Sequence, residues 1–209
     1  MAMYTVPIVS TGAELSSAPA VELGYFYPME NAYRPRTTAT LVSVRDEGFL
    51  ARMKCWETEP KADGRMADGD VYKDSCLEWF INFAPENGNC YLNLEGNAAG
   101  TLHCKYGKDR YDRKALSELG VELRPTAKVR ILPDHWQIDY FIPLTLIGQV
   151  FHKSSFQPGD RLRGNFYKCG DETASPHFGM WNPVKAEPLD FHRPDFFGEL
   201  IIVSEGYQY

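Results

Sequence analysis

Short runs of two-residue alternation, cut apart by turn signals, are the feature that most limits what this chain can become. In 49–57, Phe49, Ala51, Met53 and Cys55 alternate with Leu50, Arg52, Lys54 and Trp56. Successive side chains of a strand point to opposite faces, so such a run buries one face and wets the other. The period recurs at Thr37–Val44, 76–83, 90–97, 101–106, 121–132, 136–142, Arg161–Cys169 and 197–203, and a further strand is expected near 4–9. Turn residues separate these runs, among them Arg45-Asp46-Glu47-Gly48 and Pro133-Asp134. Helical signals are confined to 113–119, stopped by Gly120, and to one turn at 143–150 opened by Pro143. The pattern predicts an all-β chain: a single antiparallel two-sheet β-sandwich, immunoglobulin-like or jelly-roll-like, with one or two short helical turns.

A length of 209 residues suits one domain. Residues 1–36 read as an N-terminal strand and a coil wrapping that domain, and 37–209 as the sandwich itself. A hydrophobic content of 44% supplies the core. The net charge of −6, with scattered basic residues, gives no footprint for a phosphate backbone, so nucleic acid is not an expected partner. No run of about 18 apolar residues is present, so no membrane span is expected. The five cysteines are odd in number and lack metal-motif spacing. They read as small buried hydrophobes of a reducing compartment. With no signal peptide in the first 17 residues, the cytoplasm is the expected location; export, periplasmic or secreted, is the alternative if a leader has been removed.

Two neighbouring strands carry the first candidate chemistry. In 76–83, Leu77, Trp79, Ile81 and Phe83 share one face and Glu78 and Asn82 the other. In 90–97, Leu92 and Leu94 oppose Tyr91, Asn93, Glu95 and Asn97. A wetted sheet face is ordinarily polar, but Asn and Glu are poor strand formers and good bidentate partners for sugar hydroxyls. Trp56, Tyr72 and Trp181 add flat rings in polar surroundings. A ring that stacks on the apolar face of a pyranose, with planar polar groups at its rim, is how proteins hold sugars. Packing beneath a loop is the competing reading for Trp181. Lys168 and Asp171, at a strand end, are further candidates.

The stretch YKDSCLEWFI (72–81) resembles a conserved region of family 9 carbohydrate-binding modules, and in particular stand-alone family 9-like proteins of the DOMON-type sandwich superfamily. Five more stretches agree in order: YLNLEGNAAGT (91–101), FIPLTLIG (141–148), GNFYKCGD (164–171), MWNP (180–183) and DFHRPDFFGEL (190–200). The resemblance spans about 37–203 and implies a non-catalytic protein that binds an oligo- or polysaccharide, in some members at a chain end and beside a glycoside hydrolase. It implies that Tyr72 and Trp181 sandwich a terminal sugar, that Glu78 binds hydroxyls, and that Asn93 and Glu95 replace the family's usual Arg and Asn. Tyr72 stands where the family has tryptophan. Structural calcium is also implied, for which Asp63, Asp68, Asp70 and Asp74 offer hard oxygens, Asp70 and Asp74 foremost. No other cofactor is expected.

Two alternatives stay open. Glu78 and Glu95 facing one another across paired strands have the makings of a retaining glycosidase, which needs carboxyls about 5–5.5 Å apart. Against it stands the absence of a recognisable desolvating pocket to raise an acid's pKa. A DOMON-type haem domain would need axial ligands from Met53, Met180, His103, His135, His177 or His192, and no pair stands out.

Overall fold

The computed structural model describes residues 1–64 and 69–205. The strands are β1 (Met3–Val9), β2 (Val21–Glu22), β3 (Tyr25–Phe26), β4 (Thr37–Val44), β5 (Gly48–Cys55), β6 (Cys76–Asn82) and β7 (Tyr91–Asn97). Then follow β8 (Leu102–Gly107), β9 (Lys114–Ala115), β10 (Thr126–Ile131), β11 (Trp136–Pro143), β12 (Arg161–Cys169), β13 (Phe178–Met180) and β14 (Gly198–Val203). One α-helix, α1 (Leu144–Phe151), and short 3₁₀ turns complete the described residues. The element type is as expected at every alternating run. The 113–119 segment is not helical throughout: Lys114–Ala115 pairs with β8, and only Leu116–Leu119 turns, as 3₁₀. No helix among the described residues is long and apolar enough to cross a membrane.

The hydrogen-bonded path runs β10-β11-β5-β4-β1-β14-β12-β6-β7-β8-β9 and curls into a sandwich-like shape. The expectation of a purely antiparallel fold is corrected at one strand. β1 pairs parallel with β14 over Met3 to Pro7, then parallel with β4 at Ile8 and Val9. Parallel neighbours need a long crossover, and the chain between β1 and β4, residues 10–36, supplies it. Pro7 lacks an N–H to donate and sits where β1 changes partner, a position where a missing ladder bond costs least.

The core lies between the two halves of the path, where Trp79, Phe83 and Phe166 meet Phe49, Ile138, Tyr140 and Trp136. Two of its polar atoms are paired: the Tyr140 hydroxyl donates to Leu77 O at 2.6 Å and Trp136 Nε1 to Glu57 Oε2 at 3.1 Å, whereas Trp79 Nε1 is buried without a hydrogen-bond partner. A second apolar layer, with Phe80, Tyr91, Tyr167, Phe191 and Phe197, lies on the other face of β6, β7 and β12. That second layer frames the site.

Candidate functional site

Register places the acids. In the antiparallel β6–β7 ladder Glu78 lies opposite Glu95, and Phe80 opposite Asn93. In the next ladder Glu95 lies opposite His103, and Asn93 opposite Lys105. Alternation therefore sends Glu78, Glu95, His103 and Lys105 to the face turned away from the core, where they form the floor of a cavity of about 580 Å³. Tyr72, on the turn Val71–Lys73, stands on one rim and is partly exposed. Tyr27, Phe178 and Phe191 line another part of the wall, with Phe178 edge-on to both Phe191 (6.3 Å) and Tyr27 (6.5 Å). Phe191 is held flat by Tyr167, whose ring stacks on it at 4.0 Å. Arg110 and Arg113 enter from the β8–β9 connection, and Asp171 from the end of β12.

The two opposed glutamates differ in environment. Glu78 is buried, and Cys169 Sγ donates to its Oε1 at 2.8 Å. Burial, reinforced by the neighbouring charge of Glu95, pushes the Glu78 carboxyl well above the ordinary carboxylate range. Glu95 accepts a hydrogen bond from Asn93 Nδ2 at 2.7 Å and has Arg113 Nη1 at 3.6 Å. That Arg113 nitrogen is buried without a hydrogen-bond partner, so it offers a donor to a ligand. Asp171 is raised to about 6, by burial first and then by Glu95. His192 is stacked on Phe80 at 4.9 Å with Nδ1 against the Tyr91 hydroxyl, and burial holds it in the neutral form.

The structure gathers Tyr72, Glu78, Glu95 and Asp171 at one cavity, with Asp70 on its border, and places Trp181, Asn93, Lys168 and Trp56 elsewhere. Trp181 is not a platform. Its indole is in the core, edge-on to Tyr4 at 6.5 Å and tilted on Phe166 at 5.9 Å, leaving 5% of the residue exposed. Asn93 is fully buried, does not line the cavity, and acts by holding Glu95. Lys168 shares the inward face with Phe166 and is fully buried, 3.4 Å from Glu57 and donating to Cys169 O. Trp56 stacks on His135 under the Arg36 guanidinium and borders a separate cavity of about 250 Å³.

The residues do not fit calcium either. Asp74 Oδ2 accepts from Gly64 N–H and Asn97 Nδ2, and Lys61 stands 3.7 Å from its other oxygen. Asp70 pairs with Lys73 and Asp63 with Lys61. Carboxylates answered by N–H donors and ammonium groups are not a hard-cation cage. Asp68 lies outside the described residues. For haem, His103 and His192 border the main cavity, but no methionine does.

Sequence reasoning missed Arg113, Phe178, Phe191 and Tyr27. The alternation of His103 and Lys105 along β8 was the one available signal for this wall, because it matches the register of Glu95 and Asn93. The aromatic and arginine members come from irregular segments that carry no period.

An all-β sandwich-like fold with an acid floor and aromatic walls in one cleft defines a saccharide-binding class of protein. The family model for carbohydrate-binding family 9 matches residues 16–202, and the chain belongs to that family. A comparison with curated proteins gives no match. Among solved structures, a proposed carbohydrate-binding protein from Bacteroides uniformis ATCC 8492 is 26% identical, with a TM-score of 0.78 over 96% of this chain and 98% of that one. A family 9 module from Caldicellulosiruptor kristjanssonii in complex with cellotriose shares the fold at 12% identity and a TM-score of 0.72, over 98% of this chain and 95% of that one. Its complex with glucose gives 11% and 0.72, over 100% and 99%.

Proposed function

We propose that this carbohydrate-binding protein holds the terminal unit of a saccharide in the cavity between Tyr72 and the Tyr27–Phe178–Phe191 wall, and releases it unchanged. The observation that carries the reading is the meeting of rings from separate segments over a floor of Glu78 and Glu95. A pyranose offers its C–H face to Tyr72 or Phe191 and its hydroxyls to the carboxyls, with Arg113 Nη1 as a further donor. Each hydroxyl contact is exchanged against water, so one site of this size binds with a Kd of roughly 10 μM to 1 mM. Titration calorimetry with glucose and cellotriose tests this. Tyr72→Ala should weaken binding by about tenfold or more, the loss of one stacking ring, with the melting temperature nearly unchanged. Undiminished affinity in that variant overturns the assignment.

Hydrolysis has one observation in its favour: of two opposed glutamates, one is pushed toward the neutral form while the other faces Arg113. The cavity supplies the desolvation that the sequence did not reveal. Yet Glu78 and Glu95 rise side by side from one sheet face, whereas a hydrolase places its carboxyls on either side of the scissile bond. Side-by-side acids suit hydroxyl binding. Turnover of an aryl glycoside by the wild type, lost in Glu78→Gln, would decide for hydrolysis.

A further inference from the structure

At the back of the cavity lies a ligand set of which the sugar reading uses only Glu78. Cys76 and Cys169 are opposite one another in the antiparallel β6–β12 ladder, and Glu78 follows two residues along β6 on the same face. One ligand atom from each of the three lies within 4.8 Å of the others. Cys76 is fully buried, whereas Glu78 and Cys169 border the cavity, so the cluster is closed behind and open in front. No spacing motif announces this pair, because 92 intervening residues separate the two thiols and only the ladder joins them.

Two sulfurs and one carboxylate oxygen converging on a point, with a fourth direction open to solvent, form the donor set of an open zinc site. We propose that Cys76, Cys169 and Glu78 bind a thiophilic divalent cation, Zn²⁺ in the first instance, and that the ion competes with sugar for Glu78. The competition clause rests on the function proposed above; the metal site does not. The cation takes the place of the thiol proton that now links Cys169 to Glu78. Both thiol protons, and that of Glu78 where it is held, leave to solvent, and no electron is transferred. Tetrahedral coordination at ordinary zinc distances requires the sulfur–oxygen separation to open from 2.8 Å to about 3.5 Å, within reach of a Glu78 side-chain rotation.

The test uses the full reduced chain and Cd²⁺, whose thiolate complexes absorb in the near ultraviolet. One equivalent of Cd²⁺ should produce the charge-transfer band, and Zn²⁺ should displace it. Cys76→Ser and Cys169→Ser should each remove most of the band while near-ultraviolet circular dichroism stays native, and Glu78→Gln should weaken binding by about 10-fold or more. No band in the folded wild type overturns the proposal. So does a band that survives in the double serine variant, since it would then belong to another thiol such as the partly exposed Cys90. Saturating Zn²⁺ should lower the apparent glucose affinity by at least tenfold. Unchanged glucose affinity overturns the competition alone, and failure of the metal-free protein to bind glucose overturns the sugar reading while leaving the metal site standing.

Discussion

At the scale of single residues, Trp181 marks the difference between a residue's neighbours in sequence and its neighbours in space. Asn182 and Pro183 give it a polar surrounding, but Asn165 seizes that segment: Asn182 N donates to Asn165 Oδ1, and Asn165 Nδ2 donates to Asn182 O. Anchored there, the indole turns inward against Gly198, where any Cβ would come within 2.4 Å of the ring. Trp181→Ala should therefore cost about 3–5 kcal/mol by urea denaturation, the loss of a buried large ring, with sugar affinity kept at permissive temperature. Glu78 and Glu95 were legible because alternation plus pairing fixes the face of every strand residue. Arg113 was not, because a connection has no period. Asp171 carries a pH signature. Its carboxyl rises from 3.8 to about 6 on folding, so the native state holds the proton more tightly than the unfolded chain. Its contribution is whole below about pH 4 and is lost as pH climbs to about 6. Asp171→Asn should flatten that fall and add roughly 1 kcal/mol at pH 7, less than the bare shift suggests because the side chain is partly solvated. A set of denaturation curves from pH 4 to 7 measures it; an unaltered pH slope in the variant would refute the assignment.

At the scale of elements, β1 is the one strand among the described residues that pairs only in parallel. It forms parallel ladders to both β14 and β4, and its Tyr4 hydroxyl donates to Pro19 O at 2.7 Å and accepts from Leu41 N at 3.0 Å. Removing residues 1–9 would open the path between β4 and β14, expose two unpaired strand edges and uncover the core beneath Tyr4 and Val6. The truncated chain should lose its cooperative thermal transition and associate, as seen by circular dichroism and size-exclusion chromatography. A sharp transition retained in the truncated monomer would show that β14 and β4 close without it. The alternation over Met3–Val9 shows that a strand belongs there but not where it goes, since partner choice depends on chain ends far apart in sequence. The two-residue strands β2, β3 and β9 are illegible for a related reason. Two residues contain no period, and β9 shows how a helix-like composition yields to a ladder partner when β8 lies alongside.

For the whole molecule, the position of the cavity bears on the proposed binding of a terminal sugar. The segment between β13 and β14 carries Pro188, Leu189, Phe191 and His192 along its wall, and the turn bearing Tyr72 borders it on another side. The Glu78–Glu95–His103 row runs beneath, so a sugar bound there as proposed would be met by protein from below and from its sides rather than lie across an open sheet. A volume of about 580 Å³ takes one sugar unit or two, not a long chain. Affinity should then saturate with length: glucose and cellotriose should differ by no more than about threefold, below one kcal/mol, because later units project into water and add contacts that exchange evenly with solvent. A cleft that tracked the chain would instead gain affinity with each unit. Thermal shifts check the affinities themselves, since a ligand at a hundred times its true Kd stabilises the native state by about 2.7 kcal/mol whatever its length. Equal shifts for both sugars at matched saturation, together with affinities that rise steeply from glucose to cellotriose, would mean that the chain lies along the surface and that the terminal unit is not what is recognised.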